Sequence, residues 1–145
     1  MDVLDLLKAD HQQIKHLSAR IKNEPDRNRR FRIFKTLKSD LDLHTAVEET
    51  IFYPAFQSYP DFKDLIYTSF KDHSEVKVLS LQIEELTATH ELFEEKLESL
   101  IDTVEDHFQT EESQLFPKVR RVMSRNEREK LGRLVQSAKQ EGLAA

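Results

Sequence analysis

The chain contains no cysteine. Disulfides, thiolate metal ligands and cysteine nucleophiles are therefore excluded. Glycine and proline are scarce, with two and four in 145 residues, too few for the closely spaced turns of a β-sandwich or barrel. No apolar run approaches the length of a membrane span. The opening Met1-Asp2-Val3-Leu4-Asp5 lacks the basic and apolar regions of a signal peptide, so a cytoplasmic protein without membrane contact is expected. Positive charge is not in excess either: the net charge is -5, which argues against a general nucleic-acid binder. A basic run from Arg27 to Lys38, with Arg29, Arg30, Arg32 and Lys35, is expected to coat the outer face of a helix.

What the chain does have is helical periodicity. Leu4, Leu7, His11, Ile14, Leu17 and Ile21 recur at steps of three and four and mark one face of a first helix. After Asn23-Glu24-Pro25-Asp26, a second helix is predicted from about Arg27 to Tyr53, facing inward with Phe34, Leu37, Leu41, His44, Glu48 and Ile51. Pro54 to Pro60 ends it. A third is predicted from about Asp61 to Thr87, with Leu65, Ile66, Ser69, His73, Val76 and Leu79 inward. Thr87-Ala88-Thr89 reads as a weak break supplying an N-cap. A fourth follows from about His90 to Val122, with Phe93, Leu97, Leu100, Val104, His107, Glu111 and Leu115 inward. Ser124-Arg125-Asn126-Glu127 has the form of a capping box and opens a short fifth helix carrying Leu131, Leu134 and Val135. The expected fold is all-α, an antiparallel up-down four-helix bundle over residues 1–122, with a C-terminal helix in residues 123–145.

The histidines fall on an internal repeat. Asp10-His11-Gln12-Gln13-Ile14-Lys15-His16-Leu17 matches Asp72-His73-Ser74-Glu75-Val76-Lys77-Val78-Leu79, and His44-Thr45-Ala46-Val47-Glu48-Glu49 matches His107-Phe108-Gln109-Thr110-Glu111-Glu112. Helices one and two thus repeat as three and four, and a pseudo-twofold axis would bring the four histidines to one level of the core. Residues i and i+4 lie about 40° apart on a helix, so His44 with Glu48, and His107 with Glu111, each present a nitrogen and an oxygen to one point. A buried glutamate needs a compensating charge, and two cations would supply it. The expected metal ligands are His11, His44, Glu48, His73, His107 and Glu111. Such a set without sulfur suits iron or manganese, and zinc would accept it. His16 and His90 break the repeat and are expected not to be ligands; Glu49 and Glu112 rotate off the inner face, to the surface or behind a ligand imidazole. Tyr53, nine residues after His44, is expected to face away while Phe52 faces in, which leaves no evident proton donor.

In these motifs the chain resembles the hemerythrin-like family, the HHE cation-binding domain. The resemblance rests on D-H-x-x-I-K at Asp10 to Lys15, H-x-x-x-E-E followed by F-Y-P at His44 to Pro54, D-H at Asp72-His73, and H-x-x-x-E-E followed by F-P at His107 to Pro117. It implies a non-haem di-iron centre in which the two glutamates bridge the irons with an oxo or hydroxo group, leaving positions for O2, peroxide or NO. Oxygen carriers of the family have a further histidine where this chain has Lys77, which shifts the expectation from reversible O2 carriage towards sensing or weak peroxidase- or catalase-like chemistry. Lys77 and its repeat partner Lys15 are expected to face solvent. The competing expectation is an interaction module stapled by metal, or an iron-sensing or storage protein without turnover. The partner is a small molecule, and the chain a monomer or weak homodimer.

Overall fold

A computed structural model of the chain describes residues 1–86 and 91–142. The proposed break at Thr87-Ala88-Thr89 and the reading of His90 lie outside the described residues. Among the described residues there is no strand. Helix α1 spans Val3–Asn23 and α2 spans Arg27–Val47. Helix α3 spans Lys63–Glu85, α4 Leu92–Thr110, α5 Phe116–Val122 and α6 Arg125–Glu141. Helix α1 packs along α2 and α3 along α4, while α6 lies mainly against α1.

Local chemistry explains several boundaries. Asp2 caps α1 by accepting from the Leu4 N–H, and Asp26 caps α2 by accepting from the Arg29 N–H. The Ser124–Glu127 capping box forms as read from the sequence and starts α6. Gly142, at φ 68°, ends α6 in the left-handed region that glycine adopts without cost.

The second and fourth helices do not run on as uninterrupted α-helix. Each passes into a π-helical segment, Glu48–Phe52 and Glu111–Leu115. Both segments stand just before a proline, Pro54 and Pro117. A proline ring clashes with the carbonyl of residue i−4 and cannot donate a hydrogen bond. Widening the preceding turn by one residue relieves that clash. The added residue rotates everything after it by about 100° relative to a straight α-helix.

The apolar side chains form two clusters. One includes Leu4, Leu7, Val47, Phe52, Phe56, Phe62, Phe116 and Val135, and the other Ile14, Leu17, Phe34, Leu41, Val76, Phe93, Leu100 and Phe108. On α1 and α2 the histidines fall in sequence between the two clusters, so a polar layer separates two apolar ends. No described helix is long and apolar enough to cross a membrane. The basic run on α2 does lie outward: Arg27, Arg29, Arg32 and Lys35 are exposed. Arg30 pairs with Glu94, and Lys38 with Asp42 at 2.9 Å.

Candidate metal centre

All six expected residues are buried, with His11, Glu48 and Glu111 at 0–1 % exposure. The ligand-type atoms of His11, His44, Glu48 and Glu111 lie within 4.8 Å of one another, and so do those of Glu48, His73 and His107. Glu48 belongs to both groups. Its Oε1 is 3.3 Å from His44 Nε2 and 3.1 Å from His73 Nε2. Glu111 Oε1 is 3.2 Å from His11 Nε2 and 3.6 Å from His107 Nε2. Carboxylates from α2's and α4's continuations therefore each stand between histidines of different helices.

Every one of the four imidazoles is held from behind by a carboxylate. His11 Nδ1 lies 2.6 Å from Glu112 Oε2, and His73 Nδ1 lies 2.7 Å from Glu49 Oε2. His44 Nδ1 lies 2.9 Å from Asp10, and His107 Nδ1 lies 3.0 Å from Asp72. With the proton on Nδ1 donated to the carboxylate, each Nε2 turns its lone pair into the shared space, as in a carboxylate–histidine–metal arrangement. The pattern follows the repeat: each first histidine takes the second glutamate of the other half, and each second histidine takes the aspartate of its own half. Of the two places open to Glu49 and Glu112, the structure selects the one behind a ligand imidazole. Asp10 and Asp72, present in the sequence only as part of a motif, carry the same task.

The inward atoms are short of partners. His11 Nε2, His44 Nε2, both oxygens of Glu48 and Glu111 Oε1 are buried without a hydrogen bond. Several sit within ion-pair distance of one another, yet the geometry aims them at a common space rather than at each other. Leaving so many polar atoms unsatisfied costs roughly 1–3 kcal/mol each. A cation in that space removes the cost, and the donor set of imidazole nitrogens and carboxylate oxygens suits one.

Without a metal the layer binds protons instead. Burial disfavours a charged His44, but the Glu48 charge 3.3 Å away and the hydrogen bond to Asp10 outweigh it and raise the ring to about 10. His73 is likewise disfavoured by burial and raised to about 9 by the nearby Glu48 and a hydrogen bond to Glu49. His107 is raised, against its burial, by the nearby Glu48 and by the Glu111 charge. Glu48, despite burial, is held well below the usual carboxylate range by the charge of His44 and by the nearby His107. Glu111 is raised by burial and by the Glu48 charge.

Tyr53 corrects the sequence reading. It is fully buried, as is Phe52, because the π turn rotates it inward. Its hydroxyl donates to Glu111 Oε2 at 2.6 Å and stands 3.4 Å from His73 Nε2. Burial, together with the charges of Glu48 and Glu111, pushes the phenol well above its ordinary pKa, so it remains a hydrogen-bond donor. The signal that would have found it is Pro54, whose clash with the preceding turn forces the slip. His16 is exposed, as expected of a residue outside the centre. Lys77 is exposed too, and Lys15 is half-buried.

A helical fold with buried histidine and glutamate clusters defines a helical protein with a site suited to metal ions. The chain belongs to the hemerythrin family: the hemerythrin HHE cation binding domain matches residues 2–119. A DNA nickase of Nostoc sp. (strain PCC 7120 / SAG 25.82 / UTEX 2576) is 28% identical over 142 residues, 96% of this chain and 39% of the nickase. The chain thus spans well under half the length of that relative. No solved structure matches it.

Proposed function

We propose that the chain is a non-haem di-iron protein that binds, senses or reacts with O2 or a related small molecule such as peroxide or NO. His11 and His44 would hold one ion and His73 and His107 the other, with Glu48 and Glu111 shared between them. The framework is an antiparallel up-down four-helix bundle of two hairpins, α1–α2 and α3–α4, with α6 added. The observation that carries the reading is the set of four imidazoles, each fixed through Nδ1, converging on two glutamates, three of whose four oxygens lack partners. Zinc or manganese would fit the same donors.

When bound, iron supplies a redox-active Lewis acid to the buried layer. The protein's own groups do the rest. Glu49, Glu112, Asp10 and Asp72 fix the rings, the apolar clusters on either side exclude water, and Tyr53 holds a proton at its hydroxyl against Glu111 Oε2. That hydroxyl is an uncharged proton-bearing group at the centre's edge, which favours proton-coupled chemistry at the His73 side over simple carriage.

The name of the Nostoc relative raises phosphodiester cleavage as an alternative. The six donors are at most 5 % exposed, too enclosed for a nucleic-acid backbone, and this supports a small-molecule ligand for this chain. Loading the metal-free protein with iron(II) in the absence of air, then adding O2, peroxide or NO in turn, tests the reading. A change in the optical spectrum with one of them is expected. No change with any, alongside metal-dependent nicking of a supercoiled plasmid, would replace it.

A further inference from the structure

The two halves of the centre repeat in sequence, but their surroundings differ. On the His11 side, Phe108 stacks flat on the imidazole, with ring centroids 3.8 Å apart and planes 12° apart. Phe116 stands behind, 6.0 Å from the same ring. His11 is sealed, at 0 % exposure. In the repeat, the residue matching Phe108 is Thr45, each following its histidine directly.

Thr45 does not seal the other half. A pocket of about 390 Å³ lies there, bordered by Thr45, Ala46, Glu49, His73, Ser74 and Lys77 among others. It therefore reaches the ring of His73, and the carboxylate behind that ring, from the groove between α2 and α3. Thr45 also turns its hydroxyl away from His73, donating to the Asp42 carbonyl at 3.2 Å. Beyond the His73 ring stands the Tyr53 hydroxyl. A small side chain replaces an aromatic plug on one side alone, and the hydroxyl-bearing partner of Phe116 is on that same side.

We propose that the α2–α3 pocket is the route by which a molecule of two or three heavy atoms, neutral or singly charged, reaches the His73/His107 half of the centre, and that Thr45 is the residue that leaves it open. The inference rests on the metal reading above and adds which half is reached and from where. The mouth is mixed in charge: Lys38 and Lys77 face Asp42 and Glu49, and Lys38 is already paired to Asp42 and Glu84. Such a lining does not select strongly for anions, and the narrow exposure of His73, 5 %, sets the limit on size instead. The His11 ring stays sealed behind Phe108, while a smaller pocket of about 160 Å³ borders His44 of that half and is lined by Lys139, which pairs with Asp10.

Azide, a three-atom probe that colours ferric centres, gives the test. Its association and dissociation rates are measured by stopped flow on the oxidised, iron-loaded protein and on Thr45→Phe, which restores the plug. Thr45→Val keeps the opening and serves as the control. Both rates are expected to fall at least tenfold in Thr45→Phe, with affinity little changed, and to stay near wild type in Thr45→Val. Should Thr45→Phe lose its iron, Ser74→Trp, at the exposed rim of the same pocket, is expected to show the same paired slowing. Rates within twofold of wild type in an iron-replete Thr45→Phe or Ser74→Trp would overturn the route while leaving the metal reading intact. A wild-type chain that takes up no iron would overturn both.

Discussion

At the scale of single residues, the proposed metal site sets protons and metal in competition for the same Nε2 atoms. His44 and His73 are raised to about 10 and about 9 in the metal-free protein. At neutral pH both rings are protonated there, so metal uptake must release their protons. Titration of the metal-free chain in two weakly buffered media at pH 7 should show proton release on metal addition, and affinity that rises with pH up to about 9. No release would mean the rings are already neutral.

The same shifts fix the pH dependence of stability. A histidine raised above 6.5 stabilises the fold fully below that value and loses its contribution as pH climbs through its folded value of about 9 or 10. Glu48, lowered from 4.5, contributes above that value and loses its share in acid. Glu111 is raised from 4.5, so its contribution shrinks as pH rises above 4.5. The metal-free protein should therefore be most stable between pH 4.5 and 6.5 and weaken towards pH 9. Since metal binding strengthens over the same range, the gap in Tm between loaded and metal-free protein should widen from pH 6 to pH 9. A gap that narrows would contradict the assignment.

The Tyr53 hydroxyl can be removed without losing the ring. Phe116 holds the matching place in the other half and is fully buried, so a ring without a hydroxyl fits such a site. Tyr53→Phe should fold and hold metal. It should cost the metal-free protein about 1.5–3 kcal/mol, the worth of a hydrogen bond to a charged group, read from denaturant unfolding.

At the scale of elements, α6 reaches the centre although it lies beyond the residues matched by the family. Lys139 pairs with Asp10, whose other oxygen accepts from His44. Arg128 pairs with Asp2 at 2.8 Å, and Gly132 lets α6 approach the N-terminal backbone. A Cβ at Gly132 would meet the Met1 carbonyl oxygen at 2.1 Å, so no larger residue fits without moving the helix. Asp72, the repeat partner of Asp10, bonds His107 without a described lysine. Asp10→Asn should weaken metal retention by roughly 10–100-fold, and Lys139→Ala by less but in the same direction. Rates of iron transfer to a chelator measure both. Unchanged rates in Asp10→Asn would show that His44 does not depend on its carboxylate.

Much of this architecture is legible in the sequence because both core and site obey the helical period. The stripes through His11, His44, His73 and His107 place those side chains inward, as drawn. The phase is lost where a proline forces a π turn. That is why Ile51, predicted inward, is half-buried while Tyr53 is buried. The docking of α6 is less legible. Leu131 and Val135 are buried but Leu134, on the same short helix, is 56% exposed, and the polar contacts of Lys139 and Arg128 span more than a hundred residues of chain. No local period encodes such pairs.

At the scale of the whole molecule, two apolar clusters hold a polar layer that is poorly satisfied on its own. The fold tolerates that layer because a positive charge belongs in it. Replacing Glu48 by Gln should therefore abolish binding of at least one ion, since Glu48 belongs to both donor groups. The most direct test is the number of metal ions per chain, by elemental analysis with an optical spectrum, on protein loaded with iron(II) without air and then oxidised. The account predicts two irons per chain, with near-ultraviolet absorption from the coupled pair. No metal, or a single zinc that iron cannot replace, would contradict it.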